Sequence, residues 1–207
     1  MRKPLNIEEA LSIPGGTLEE QLANYVPLSF VPQAIERYHA HYADHFSAEA
    51  LVFPGIRLLL SALYEREVKL AVCTGADRES ARYTLSRSGL SRFFQTLVTG
   101  NDVIKPKPDP EGLMIAMEAL NARPDHTIYL GDHPNDVRAS QDAGAKPAAA
   151  CWGSMHRNEL RTLKPQFFFK NPFEALCQFL RPQLNRNQLS ACVHLFAHGD
   201  INNEFSC

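Results

Sequence analysis

From residue 67 onward, short apolar runs alternate with amphipathic stretches. Val68-Lys69-Leu70-Ala71-Val72-Cys73 is a brief apolar run closed by Thr74-Gly75, and it predicts a buried strand. Residues 77–88 predict a helix, with Asp77 as its N-cap and Gly89 as its stop. Gln95-Thr96-Leu97-Val98 predicts a second strand. Asp109-Pro110-Glu111 predicts a helix start running through Asn121, with Asp as N-cap, Pro at the first helical position and Glu in the first turn. Thr127-Ile128-Tyr129-Leu130 predicts a third strand, ending at Gly131-Asp132. A short helix follows from about Asn135 to Gly144. Residues 147–152 and Gln166–Phe169 predict two further strands, with helices near 156–163 and 172–180.

Short strands alternating with helices imply parallel pairing, hence an α/β fold built on a doubly wound parallel sheet. Strands apolar on both faces agree, because helices cover both sides of such a sheet. The first fifty residues differ. They contain no credible strand; Thr17-Leu18-Glu19-Glu20 resembles a helix start, and residues 32–46 form an aromatic, His-rich helical stretch. The expectation is a small, partial helical cap over residues 1–51 and an α/β core over 52–184, with Phe53-Pro54-Gly55 as the hinge and a helix over 56–66. Residues 185–207 are Asn-rich and weakly patterned, and are expected to be a tail of uncertain order.

Composition narrows the function classes. The chain has 207 residues, 44% hydrophobic and 21% charged, with net charge -2. That balance gives no basic surface for nucleic acid, and no apolar run reaches the ~20 residues of a membrane span. Five cysteines, an odd number without CxxC spacing, argue against a disulfide framework or a zinc site and fit a reducing cytoplasm. The partner expected is therefore a small metabolite, with oligomeric state unspecified.

In an open parallel sheet, ligands bind beyond the carboxyl ends of the strands. There the pattern places Thr74-Gly75, Asp132 with Asp136 four residues on, and Lys107 in the Pro-rich loop Lys105–Pro110. A hydroxyl, an ammonium and two carboxylates suit phosphoryl transfer with a hard cation such as Mg²⁺. Less specific readings compete. Asp132 and Asp136 also fit a solvated helix start, and Thr74 an ordinary strand end. His39, His41 and His45 fit one polar helix face better than a metal ligand set. Cys73 fits a buried core thiol better than a nucleophile.

The wording of these segments resembles a known family. Leu70-Ala71-Val72-Cys73-Thr74, Lys107-Pro108-Asp109-Pro110-Glu111 and Tyr129-Leu130-Gly131-Asp132-His133-Pro134-Asn135-Asp136 are similar to the second, third and fourth motifs of the haloacid dehalogenase superfamily. The third is worded as in phosphoglycolate phosphatases. Pro54-Gly55 resembles the return from the cap, and Cys151-Trp152-Gly153 the strand end after the fourth motif. Pro106 departs from the pattern, which often has Gly there. The resemblance spans residues 5–180 and implies a Rossmannoid core and a Mg²⁺-dependent phosphatase working through a phosphoaspartyl intermediate. It implies that Thr74 and Gly75 bind the phosphoryl group, that Thr74 and Lys107 are catalytic, with Lys107 also touching substrate, and that Asp132 ligates Mg²⁺. Asp136 would ligate it directly or through water. His133 either touches substrate or merely lines the loop.

The family's first motif, DxDGT, supplies the nucleophile and the general acid/base. The aspartates here are at 44, 77, 102, 109, 125, 132, 136, 142 and 200, and no two are spaced as Asp-x-Asp. The chain opens inside what resembles the cap, so the strand bearing that motif is expected to be missing. In the family that strand lies between those of the second and fourth motifs, which leaves a central gap. The tail segment Ala191–Phe196, followed by Asp200, is apolar enough to fill it. The expected function is a phosphatase for a small phosphomonoester, phosphoglycolate first, inactive or impaired as written. The alternatives are a non-catalytic phosphate- or partner-binding remnant, and a phosphosugar mutase or dehalogenase.

Overall fold

The structure, a computed structural model, describes residues 17–45, 52–181 and 190–193. The helical segment comes first. Helix α1 (Leu18–Ala23) is opened by Thr17, whose side chain accepts from the Glu20 amide while Glu20 reaches back to the Thr17 amide. A 3₁₀ turn, Leu28–Phe30, leads into α2 (Val31–His45). His39 fastens α2 to the core: its Nε2 lies 2.9 Å from Asp77 Oδ1 and its Nδ1 3.2 Å from Glu79 Oε2. His39 thus belongs to a polar clasp.

Helix α3 (Ile56–Tyr64) buries Ile56, Leu59, Leu60 and Leu63, the i, i+3, i+4, i+7 stripe that faces a core. The α/β alternation then runs β1 (Lys69–Cys73), α4 (Arg78–Arg87), β2 (Thr96–Val98), α5 (Glu111–Ala119), β3 (Thr127–Gly131), α6 (Pro134–Asp142), β4 (Lys146–Ala150), α7 (Arg157–Thr162), β5 (Phe167–Phe169) and α8 (Pro172–Phe179). Asp77 caps α4, accepting from the Ser80 amide at 3.0 Å. Helix α5 starts later than the pattern predicts. Pro110 takes the cap position, and Asp109 Oδ1 accepts from the Glu111 amide at 3.0 Å.

The sheet is parallel throughout, in the order β2-β1-β6-β3-β4-β5, which bears out the doubly wound α/β reading. Its central strand, β6 (Ser190–Val193), comes from the segment expected to be a tail. Leu70 pairs with Ala191 and Val72 with Val193 on one side; Ile128 pairs with Ala191 and Leu130 with Val193 on the other. The expected gap is therefore filled by the alternative named above. The rest of that segment, His194 to Phe196, and Asp200 lie outside the described residues. Alternation of side chains sorts the core into two faces. Leu70, Val72, Ile128 and Leu130 pack with α3 and α8, while Ala71, Cys73 and Tyr129 pack with α5.

Candidate phosphate site

Because all strands are parallel, the carboxyl ends of β1, β2 and β3 share one edge. A small depression lies there, lined by Thr74 and Gly75 after β1, Thr99 and Gly100 after β2, and Lys105 to Lys107. The two loops approach closely: a Cβ on Gly100 would lie 2.7 Å from the Gly75 carbonyl oxygen, so a side chain there would force the loops apart. Thr74 is buried, and its amide donates to the Val98 carbonyl at 2.9 Å. Its Oγ accepts from the Ala76 amide at 3.1 Å, which orients the hydroxyl.

Lys107 reaches this edge from the Pro-rich loop. Its Nζ donates to Asp136 Oδ1 at 2.6 Å and to the Tyr129 hydroxyl at 3.2 Å. Asn135 Nδ2, at 3.5 Å from the Lys107 carbonyl, touches the loop's backbone. Burial alone would lower the lysine pKa, but the Asp136 carboxylate, with help from Cys73 and Asp132, holds it above its ordinary value. Lys107 therefore carries its charge throughout the neutral range.

The two carboxylates at the end of β3 have different surroundings. Asp136 is 1% exposed. Its Oδ1 meets Lys107 and the Tyr129 hydroxyl, and its Oδ2 accepts from the His133 amide at 3.0 Å. Gly131 makes room for it: an added Cβ would fall inside the contact radius of the Asp136 side chain. Asp132 is pushed up to about 8, first by burial and then by the Asp136 charge, against the pull of Lys107. A hard divalent cation commonly takes one or two carboxylates and keeps several waters. Asp132 fits that role, since a cation beside it would restore the ionisation that burial opposes. Asp136, engaged through both oxygens, fits as a ligand only through water. Among the described residues, no group of three or more His, Cys, Asp or Glu converges as a metal cage.

His133 caps α6: its Nδ1 accepts from the Asn135 amide at 3.0 Å, which leaves the proton on Nε2. The His156 ring packs against it edge-on, with centroids 4.7 Å apart. Burial, the largest influence, lowers the His133 pKa, so the ring is neutral. The structure thus brings Thr74, Gly75 and Lys107 to one depression and binds Asp136 to Lys107, with Asp132 and His133 at the adjoining strand end. Sequence reasoning gave no role to Tyr129, whose hydroxyl meets both Lys107 and Asp136. Its signal was a phenol inside an otherwise apolar strand, Ile128-Tyr129-Leu130.

Comparison with known proteins bears on the family and the fold. The model of the family described as haloacid dehalogenase-like hydrolase matches residues 1–150. The chain is 33% identical over 144 residues to pyrophosphatase PpaX of Halalkalibacterium halodurans, covering 68% of this chain and 67% of that protein. An assigned phosphoglycolate phosphatase from Lactobacillus plantarum has a similar structure, with TM-score 0.71, 24% identity and coverage of 86% and 84% of the two chains. A β-phosphoglucomutase from Clostridium difficile matches with TM-score 0.71 and 15% identity, covering 88% of this chain and 83% of that one. At these identities the two structures show the shared fold.

Proposed function

The chain belongs to the haloacid dehalogenase-like hydrolases, and on that footing we propose that its site is a phosphohydrolase site for a small phosphomonoester, phosphoglycolate first. The observation that supports this most is the part-buried Lys107–Asp136 pair, 2.6 Å apart, at the rim of the depression lined by Thr74 and Gly75. A phosphoryl group seated there would meet the Thr74 hydroxyl, the Gly75 amide and the Lys107 ammonium. Donors fixed before the substrate arrives stabilise developing charge without reorganisation.

Asp136 keeps Lys107 charged and aimed, and Asp132 would hold Mg²⁺. The ion would offset charge on the phosphoryl oxygens. His133, at the adjoining strand end with its proton on Nε2, would donate to the remainder of the substrate. Among the described residues, Cys73, Cys151 and Cys177 are free thiols, which supports a reducing, cytoplasmic setting. No described helix is long and apolar enough to cross a membrane.

Neither carboxylate is equipped as a nucleophile. Asp132 is assigned to the cation, and Asp136 is bonded through both oxygens. We therefore place turnover by this chain at absent or barely detectable, with phosphate binding retained. Losing a nucleophile costs orders of magnitude in rate even when the rest of a site persists. The pyrophosphatase relative adds pyrophosphate as a second candidate substrate. The test is hydrolysis of p-nitrophenyl phosphate and pyrophosphate by residues 1–207 with Mg²⁺. Background rates agree with the proposal. Strong Mg²⁺-dependent turnover lost in Asp200→Asn would assign a nucleophile to the C-terminal segment instead. Strong turnover indifferent to Asp132→Asn would remove the site from this edge.

A further inference from the structure

We propose that Tyr129 is a positioning residue that holds the Lys107 ammonium toward the phosphate, acting across the central strand. The proposal rests on the reading of Lys107 as the phosphate-facing cation. Tyr129 lies on β3, is 1% exposed, and alternates with Ile128 and Leu130, so that its side chain stands on the α5 face. Its hydroxyl donates to the Cys73 carbonyl on β1 at 3.0 Å. Strands β1 and β3 are separated by β6, a span of about 9.6 Å between their axes. The phenol therefore crosses the face of the central strand to reach that carbonyl. One hydroxyl joins the strand end that leads into Thr74 to the strand end that leads into Asp132.

The hydroxyl has one hydrogen and two lone pairs. With the hydrogen shared between the Cys73 carbonyl and Asp136 Oδ1 at 3.2 Å, its oxygen accepts from Lys107 Nζ at 3.2 Å. The ammonium also sits 5.8 Å from the centroid of the Tyr129 ring. Beside the contact to Asp136, the hydroxyl is a second anchor that restricts where the ammonium points. Phenylalanine at this position keeps the ring and deletes the hydroxyl with its bonds to Cys73, Asp136 and Lys107.

Two readouts test this. In protein labelled with ¹⁵N at lysine Nζ, a held ammonium gives a slowly exchanging proton signal, assigned to Lys107 by its loss in Lys107→Gln. Tyr129→Phe is expected to broaden or shift that signal. Its absence in the wild type, or an unmoved signal in Tyr129→Phe, would overturn the proposal. Inorganic phosphate is the second probe: Tyr129→Phe should raise its Kd about fivefold, but by less than about twofold in a Lys107→Gln background. An equal loss in both backgrounds would mean a packing role only. Failure of the wild type to bind phosphate would sink the functional reading, and the lysine signal alone would then decide this one. Should the Phe variant not fold, 3-fluorotyrosine at 129 weakens the oxygen as an acceptor and must still move the lysine signal.

Discussion

Lys107 Nζ lies 2.6 Å from Asp136 Oδ1, and the carboxylate, 1% exposed, is held on its other oxygen by the His133 amide. The aspartate is thus a rigid post for a lysine carried on a Pro-rich loop. Asp136→Asn keeps the shape and removes the charge that sustains the ammonium. It should cost about 2–4 kcal/mol of stability, since Lys107 is left with less compensation in a buried setting. Thermal or urea unfolding measures this; a loss below about 0.5 kcal/mol would show that the pair is not tightly coupled.

Gly131→Ala puts a methyl group where the Asp136 side chain sits. The expected result is a destabilisation of about 1–3 kcal/mol together with weakened phosphate binding, because the post under Lys107 must move. Ala at Gly144, where the nearest heavy atom to an added Cβ is 3.7 Å away, is the control, with strain from its positive φ but no effect on phosphate. Equal phosphate affinity in wild type and Gly131→Ala would contradict the geometry.

Asp132 gives a pH dependence of definite sign. Its folded pKa, about 8, lies above the ordinary 3.8, so the native state binds the extra proton. Stability from this group is complete below about pH 4 and falls as the pH rises toward 8. Asp132→Asn should remove that decline, so its melting temperature gains on the wild type from pH 4 to 8. Added Mg²⁺ should stabilise the wild type more at pH 8 than at pH 6, as the ion competes with a proton. Parallel melting curves for the two proteins across this range would show that Asp132 is ionised already.

Strand β6 pairs with β1 and β3 at once, so removing it exposes two backbone edges in the middle of the sheet. Each buried group left unpaired costs ~1–3 kcal/mol. Residues 1–181 should therefore melt at least about 10 °C lower than 1–207 or be isolated as aggregate. An unchanged melting temperature would show that the central strand contributes nothing to the fold.

The parallel sheet was legible because β1 and β3 are short apolar runs, and Leu70 to Cys73 and Thr127 to Gly131 are buried throughout. The placement of Thr74, Lys107 and Asp132 at one sheet edge was legible because each closes a strand or lies in the loop after one. Strand β6 was harder to read. Four residues, Ser190-Ala191-Cys192-Val193, carry too little periodicity to outweigh an Asn-rich neighbourhood, and their pairing is entirely non-local. The start of α5 was displaced by one residue: Pro110 takes the cap position, and Asp109 bonds the Glu111 amide from outside the helix. Tyr129 was read as a strand residue, which it is; its hydroxyl acts through β1, 56 residues away in sequence.

The central claim is that the edge formed by Thr74, Lys107 and Asp132 binds a phosphoryl group. Calorimetric titration of inorganic phosphate into residues 1–207 with Mg²⁺, beside Lys107→Gln, tests it most directly. The account predicts a saturable phosphate site in the wild type, weakened at least about tenfold in Lys107→Gln, the loss of one charge-assisted contact. Equal affinity in the two proteins, or no saturable site in the wild type, would contradict it.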